Sequence, residues 1–286
     1  MTIHSTVIVE PDAQLADDVS IGPFGHIESG AVVGPGARLA SHIVVRAGVT
    51  LGARVDMDSF TAIGGRAQMM GMKPDHLGQV IIGDDVVMRE GVTVHASTLG
   101  QAATSVGEGS FLMAHAHVAH DCQVGAHAIL TNGVLLGGHV MVGDYAILGG
   151  GSGFHQHVRI GTGAMVAGKA TITSDVPPFT MAGERNILFG LNTKGLIRRG
   201  VPREVIDRLK ACFREVVLPP GDPCEVAKSM LTENGKQCTE VQQFLSFFAG
   251  SKRGFCRVAS TAGARRYMAR TEARPERSPR EAYAEE

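Results

Sequence analysis

No tryptophan occurs among the 286 residues, and the chain holds only 3 tyrosines and 11 phenylalanines. No stretch approaches 18 consecutive apolar residues, so no membrane span is expected. Neither sign of charge prevails, with 27 basic against 28 acidic residues, which argues against non-specific binding to nucleic acid. Cysteine is sparse and odd in number: Cys122, Cys212, Cys224, Cys238 and Cys256 show no C-x-x-C spacing and read as free thiols of a reducing cytoplasm. The first residues lack a basic region followed by an apolar one, so no leader is expected. Glycine, by contrast, is abundant at 37 residues. Abundant glycine and few large aromatics suit a turn-dense chain with small inward side chains.

An apolar residue recurs at every sixth position almost without interruption. One run extends from Val9 through Leu15, Ile21 and Ile27 to Ile63, a short one covers Ile82, Met88 and Val94, and a third extends from Val106 through Leu112, Leu130 and Leu148 to Ile172. Four residues after each large one comes a small or β-branched one, such as Ala31, Ala116, Ala128 or Ala164. No helix repeats every six residues, and sandwich strands alternate in twos at irregular spacing. Short strands that each point one large and one small residue inward, then turn, do repeat in this way. Three hexads close an 18-residue triangular coil, and the turns carry Gly, Asp, Asn and Ser, which tolerate positive φ. Roughly nine coils are expected, each burying its core against its neighbours.

The repeat breaks twice, over residues 64–81 and again from Ser97 to Ser105, and loops that leave a rigid solenoid often line binding sites. It stops after Asp175-Val-Pro-Pro-Phe179. Pro202 then opens a helical pattern, Asp222 and Pro223 fit the cap and first position of a second helix, and Thr239 to Gln242 reads as a capping box for a third. The expected division is a β-solenoid over 1–180, an α-helical C-terminal domain over 181–257, and an Arg- and Glu-rich disordered tail over 258–286.

Seven of the 12 histidines fall between His115 and His157. His139 follows His120 by 19 residues and His155 by 35, near-multiples of one coil, so these three are expected at one edge of the prism, with Asp121 beside His120. His115, His127 and His157 read as solvated turn residues. A carboxylate that orients an imidazole suits proton abstraction from a hydroxyl. Two other readings stay open. One is a zinc site of the γ-class carbonic anhydrase kind, prompted by His115 and His120, although Gln79 stands where a third histidine is needed. The other is a non-catalytic scaffold that binds a sugar nucleotide. Arg198, Arg199, Arg203, Arg208, Lys210 and Arg214 crowd the first helical region, either as a solvated face or as a dock for an acidic partner.

The run Met113-Ala-His-Ala-His-Val-Ala-His-Asp-Cys-Gln-Val-Gly125, the later Leu-Leu-Gly-Gly-His over 135–139, the His155-Gln156 pair, the Asp175–Phe179 exit and Gly-Leu-Ile-Arg-Arg-Gly over 195–200 resemble the UDP-N-acetylglucosamine O-acyltransferases that begin lipid A synthesis. The resemblance covers about residues 1 to 257. It implies a left-handed parallel β-helix of hexapeptide repeats, against the usual crossover preference, and a homotrimer with active sites between neighbouring prisms. It further implies transfer of a 3-hydroxyacyl chain from acyl carrier protein to the sugar 3-hydroxyl, with no cofactor and no metal. By the same resemblance His120 is the general base, Asp121 its orienting partner, and the Gly138 N–H the oxyanion donor, such a donor being worth about 3–4 kcal/mol. His117, His139, His155 and Gln156 match substrate-contacting positions. Asn192, Arg198 and Arg199 match the nucleotide-phosphate and carrier-protein side, and Gly168 the position that limits acyl length. The chain departs from the family pattern in its first excursion, Gln-Met-Met-Gly-Met-Lys73, where Lys73 stands in for a lysine but the acid before it is missing. It departs again at His95-Ala96-Ser97-Thr98, which lacks an arginine, and at Lys194, where an acid is common.

Overall fold

In the computed structural model, which describes residues 1–73, 78–98, 102–233 and 238–258, the chain winds into a parallel β-solenoid with three walls. The walls hold eleven, nine and eight strands, mostly of two residues each. Every third strand pairs with its predecessor one coil below, so Leu112, Leu130, Leu148 and Val166 stack in one column, 18 residues apart. The large residue of each hexad points inward, and from Ile21 onward these residues are nearly free of solvent. In the first coil Val9 is 40 % exposed and Leu15 only partly buried, because no coil lies beneath them. The small partners Ala31, Ala116, Ala128 and Ala164 are wholly buried beside them.

The corners differ from the expectation of small polar turns. The second corner residue adopts positive φ, and this place is taken not only by glycine but by Phe24, His42, Phe60, His127, Tyr145 and Lys169. A left-handed backbone costs a non-glycine residue about 1–2 kcal/mol. Ring stacking from coil to coil offsets part of it: Phe24, His42 and Phe60 form one ladder with centroids 4.9 Å apart, and His127 lies 5.0 Å from Tyr145.

At two points along the chain the step between paired strands exceeds 18 residues, in all three walls. Leu51 pairs with Ile82, and Ile82 with Val106, so 13 and 6 additional residues leave the coil there. Both excursions were expected; the second is slightly shorter than Ser97 to Ser105, because Thr104 and Ser105 already belong to the strand Thr104–Val106.

Beyond the last coil the chain makes an antiparallel pair, Thr180–Gly183 with Ile187–Leu191, and then helices α1 (Thr193–Arg198), α2 (Arg203–Val216), α3 (Pro223–Glu233) and α4 (Thr239–Ser246). The short α1 was not expected; the Asn192 carboxamide caps it by accepting from the Gly195 N–H at 3.0 Å. The Asp222 carboxylate accepts the Cys224 N–H at the start of α3, as its position suggested. The capping box is displaced by one residue: Cys238 is the cap of α4 and Thr239 lies inside the first turn, with no side-chain cap bond. The expected tail falls outside the described residues from 259 onward.

A buried ion pair joins the solenoid to the helices. Asp175, 1 % exposed, accepts the Arg159 Nε–H at 2.7 Å and the Arg159 backbone N–H at 2.9 Å. The same guanidinium donates to the carbonyls of Ala249 and Phe247 at 3.1 and 3.0 Å and lies 4.5 Å from the Phe247 ring. Arg159→Met strands the Asp175 carboxylate without its cation. The expected cost is about 3–5 kcal/mol in the urea midpoint, with earlier proteolysis after α4; an unchanged midpoint would show the pair to be dispensable.

Candidate active site

Both excursions leave at the same corner of the prism, between the nine-stranded and the eight-stranded wall. The first lies between Ala62–Gly65 and Val80–Ile82, the second between Thr93–His95 and Thr104–Val106. Residues 119–122, 137–140 and 155–158 turn at that corner in the following coils. The corner therefore carries a vertical stack. Asp121, His139 and His157 hold the positive-φ place, at 60°, 61° and 64°, and His120, Gly138 and Gln156 precede them. Backbone bonds keep the stack in register: the His139 N–H donates to the His120 carbonyl at 3.0 Å, and the His157 N–H to that of Gly138 at 3.1 Å.

His120 is 5 % exposed, and its Nδ1 lies 2.8 Å from Asp121 Oδ2. An ionised carboxylate only accepts, so Nδ1 carries the hydrogen and Nε2 keeps its lone pair. The Asp121 carboxylate is itself clamped. Oδ1 accepts the Thr98 N–H at 3.0 Å and Oδ2 the Thr98 hydroxyl at 2.5 Å, while the Asp121 N–H donates to Thr104 Oγ1 at 2.8 Å. Burial alone would raise this carboxyl, but the Thr98 hydroxyl, His120, the Thr98 amide and the nearby His139 together hold it below the ordinary carboxylate range. On the far side of the ring, a Cβ at Gly138 would lie 2.6 Å from Nε2 and 2.4 Å from Cε1, so only glycine fits beneath the imidazole. The Gly138 N–H donates to no acceptor among the described residues.

The other imidazoles surround this pair. His139 stands edge-on to His120 at 5.2 Å, with its Nε2 3.6 Å from Asp121 Oδ2. The third ring of the ladder is His157, stacked on His139 at 4.5 Å and 11°, and not His155 as expected. His157 is 18 residues past His139, whereas His155 falls one residue short of two coils past His120. His155 instead meets Arg253 of the C-terminal segment. His117 bonds the Thr93 hydroxyl at 2.7 Å and meets the ring of His95 at 4.9 Å. Burial, followed by the charge of His120, lowers His117; burial, then His117 and His120, push His95 down to about 4. The resemblance points to the His95–Thr98 turn only for its missing arginine; it assigns no role to His95 or Thr98, and Thr93 is not singled out at all. The excursions break the register there, so counting in sixes does not reveal what they face.

The remaining candidates lie elsewhere. Lys73 is exposed at the end of the described part of the first excursion. Asn192 is buried, its amide donating to the Gly163 carbonyl at 3.1 Å, at the corner where Tyr145 and Phe179 sit. Arg199 lies there too, its guanidinium 4.5 Å from the Tyr145 ring and 5.7 Å from that of Phe179, while Arg198 is exposed. Gly168 is exposed at the third corner, where an added Cβ would approach nothing closer than the Gly150 carbonyl at 3.2 Å. One chain thus distributes these residues over all three corners.

His115 also sits at that third corner, packed on Gly91, so it does not converge with His120 on a zinc ion. Ligand atoms of His120, Asp121 and His139 do lie within 4.8 Å of one another. Both Asp121 oxygens, however, already accept hydrogen bonds, and His120 Nδ1 is turned to them. This donor set fits proton transfer better than cation binding. Among the described residues no helix is long and apolar enough to cross a membrane, and all five cysteines are free.

Two family profiles match the chain: one described as UDP-N-acetylglucosamine O-acyltransferase, domain 2, over residues 175–256, and one as bacterial transferase hexapeptide over residues 103–138. The chain is 40 % identical over 259 residues to an acyl-[acyl-carrier-protein]–UDP-N-acetylglucosamine O-acyltransferase of Stenotrophomonas maltophilia, covering 89 % of this chain and 97 % of that one. It is 41 % identical over 261 residues to the same enzyme of Paraburkholderia xenovorans, covering 89 % and 99 %. The crystal structure of the Francisella novicida UDP-N-acetylglucosamine acyltransferase superposes with a TM-score of 0.84 at 31 % identity, covering 97 % of this chain and 100 % of that one.

The depressed His95 sets a pH dependence. The unfolded imidazole takes up its proton near pH 6.5, the folded one only near pH 4, so stability is complete above 6.5 and falls as pH drops from 6.5 to 4. Melting temperature followed across that window should decline in the wild type and decline less steeply in His95→Gln. Equal slopes would remove His95 as the cause.

Proposed function

The chain belongs to the acyl-[acyl-carrier-protein]–UDP-N-acetylglucosamine O-acyltransferase family, and we propose that it transfers a (3-hydroxy)acyl chain from acyl carrier protein to the 3-hydroxyl of UDP-N-acetylglucosamine with His120 as general base. The observation that carries this reading is the His120–Asp121 pair at 2.8 Å, with Nε2 left free over Gly138. Nε2 accepts the sugar hydroxyl proton as that oxygen attacks the thioester carbonyl. The tetrahedral oxyanion is met by the Gly138 N–H. Collapse breaks the C–S bond, and the departing thiolate takes the proton from His120. Asp121 stays ionised and holds the ring. His117, His139, His155 and Gln156 contact the substrate along the same corner, and Lys73 reaches it from the first excursion.

Asn192, Arg198 and Arg199 serve the nucleotide phosphates, and Gly168 bounds the acyl chain. Their position at the other two corners supports a homotrimer in which neighbouring prisms complete each site. So does the apolar outer face of the eleven-stranded wall, where Val87, Phe111, Ile129, Ile147 and Met165 follow one another. The solenoid, residues 1–180, is the catalytic part. The helical part, residues 181–257, offers Arg203, Arg208, Lys210 and Arg214 to the acidic carrier protein. The five free thiols support a cytoplasmic location. A second reading draws on the first excursion, where the family's acid is missing and Met69 and Met70 are exposed: a paralogue that takes a different acyl chain or sugar nucleotide, or binds one without turnover.

Purified protein given acyl carrier protein thioesters of varied length and the sugar nucleotide should form the O-acyl product. Gly168 is not in the left-handed region and an added Cβ would meet only the Gly150 backbone, at 3.2 Å, so Gly168→Met, checked for folding by thermal melting, should shorten the preferred chain by several carbons. Nucleotide binding with no product at any length would establish the non-catalytic reading, and an unshifted length preference would remove Gly168 from the acyl path.

A further inference from the structure

The last described segment, residues 251–258, crosses the C-terminal end of the imidazole corner. Its path is fixed by backbone bonds: the Asp175 N–H donates to the Gly254 carbonyl at 2.8 Å, the Cys256 N–H to that of Asp175 at 2.8 Å, and the Leu188 N–H to that of Arg257 at 3.0 Å. Asp175 is the same residue that Arg159 clamps, so the segment is tied to the latch between solenoid and helices. From it Arg253 reaches back 98 residues along the chain. Its Nε–H donates to the Gln156 carbonyl at 2.9 Å, and its Nη2 lies 2.8 Å from His155 Nδ1. Contacts to two adjacent residues leave the guanidinium little freedom.

A guanidinium has five N–H donors, no acceptor, and does not deprotonate in proteins. A nitrogen 2.8 Å from it must present a lone pair. The competing arrangement, an Nδ1–H donating to the Gln156 carbonyl, is 3.4 Å long and aims at an oxygen already occupied by Arg253 Nε–H. Neutral His155 therefore holds its hydrogen on Nε2. His120 is fixed the other way: its Nδ1 faces a carboxylate, so Nε2 is bare. One corner thus carries two imidazoles of opposite tautomer, one able to take a proton and one able only to give a hydrogen bond.

We propose that Arg253 is a positioning residue that locks His155 in the Nε2–H tautomer and makes it a fixed hydrogen-bond donor to an acceptor oxygen of the substrate. This rests on the reading of His155 as a substrate contact. His155 is itself exposed, so without Arg253 water would satisfy either nitrogen and both tautomers would be populated.

Long-range ¹H–¹⁵N spectra of histidine-labelled protein without substrate, with His155 assigned through His155→Gln, should show a bare Nδ1 and a protonated Nε2. Arg253→Ala should give a mixture of tautomers, and Arg253→Lys, which restores a donor, should return most of the wild-type pattern. In kinetics, Arg253→Ala should raise KM by roughly 5- to 30-fold, the loss of one charge-assisted or neutral hydrogen bond, with kcat changed less than about threefold. A predominant Nδ1–H form in the wild type, or an unaltered tautomer in a folded Arg253→Ala, would overturn the lock. A shifted tautomer with unchanged KM would overturn the substrate role. Because the spectra need no turnover, absence of acyl transfer by the wild type would strike the functional reading separately from the lock.

Discussion

The 18-residue step of the coil is the constraint from which the rest follows. Strands of two residues have almost no pairing surface of their own, so each is held by the coils above and below it, and register is set by the inward hexad residues. Once that step is fixed, whatever stands at one corner in one coil lies directly under its counterpart in the next. Asp121, His139 and His157 become a column for this reason, as do Phe24, His42 and Phe60 elsewhere. The His120–Asp121 pair built on such a column is rigid without any dedicated scaffold, because displacing His120 means displacing the backbone bond that joins it to His139.

The two excursions show how the coil accepts additions without losing that register. Extra residues leave at one corner and the wall resumes in step, as the pairing of Ile82 with both Leu51 and Val106 demonstrates. The second excursion also supplies Thr98, which clamps the Asp121 carboxylate through both its amide and its hydroxyl. The corner with the additions is thus the corner with the proposed base. The helices enter at the opposite end of the stack, through the Arg159–Asp175 pair and the segment that carries Arg253.

Much of this is legible in the residues. A core of one large and one small side chain per hexad imposes its period on the whole solenoid, and the two breaks in that period mark the two loops. The proline-led α2 and the Asp222-capped α3 also announce themselves locally. What stays hidden depends on contacts remote in sequence or on counting to the residue. His155 and His157 differ by two positions, and only the true register tells which joins the ladder. Thr98 meets Asp121 across a loop whose path the period does not constrain. The six-residue α1 is too short to show a periodicity, and nothing local to Asn192 reveals that its amide caps that helix and bonds the Gly163 carbonyl. Arg253 and His155 are 98 residues apart and belong to no common pattern.

The proposed chemistry depends on the Asp121 carboxylate, which fixes a hydrogen on His120 Nδ1 and leaves Nε2 free to take a proton from the sugar alcohol. The most direct measurement is kcat/KM for acyl transfer by Asp121→Asn beside the wild type, with thermal melting of both. An amide at residue 121 can turn an N–H toward Nδ1 and so move the imidazole hydrogen to Nε2. A loss of roughly 10²- to 10⁴-fold in a folded protein is expected, and activity within about threefold of wild type would show that Asp121 does not set the proton-accepting form of His120.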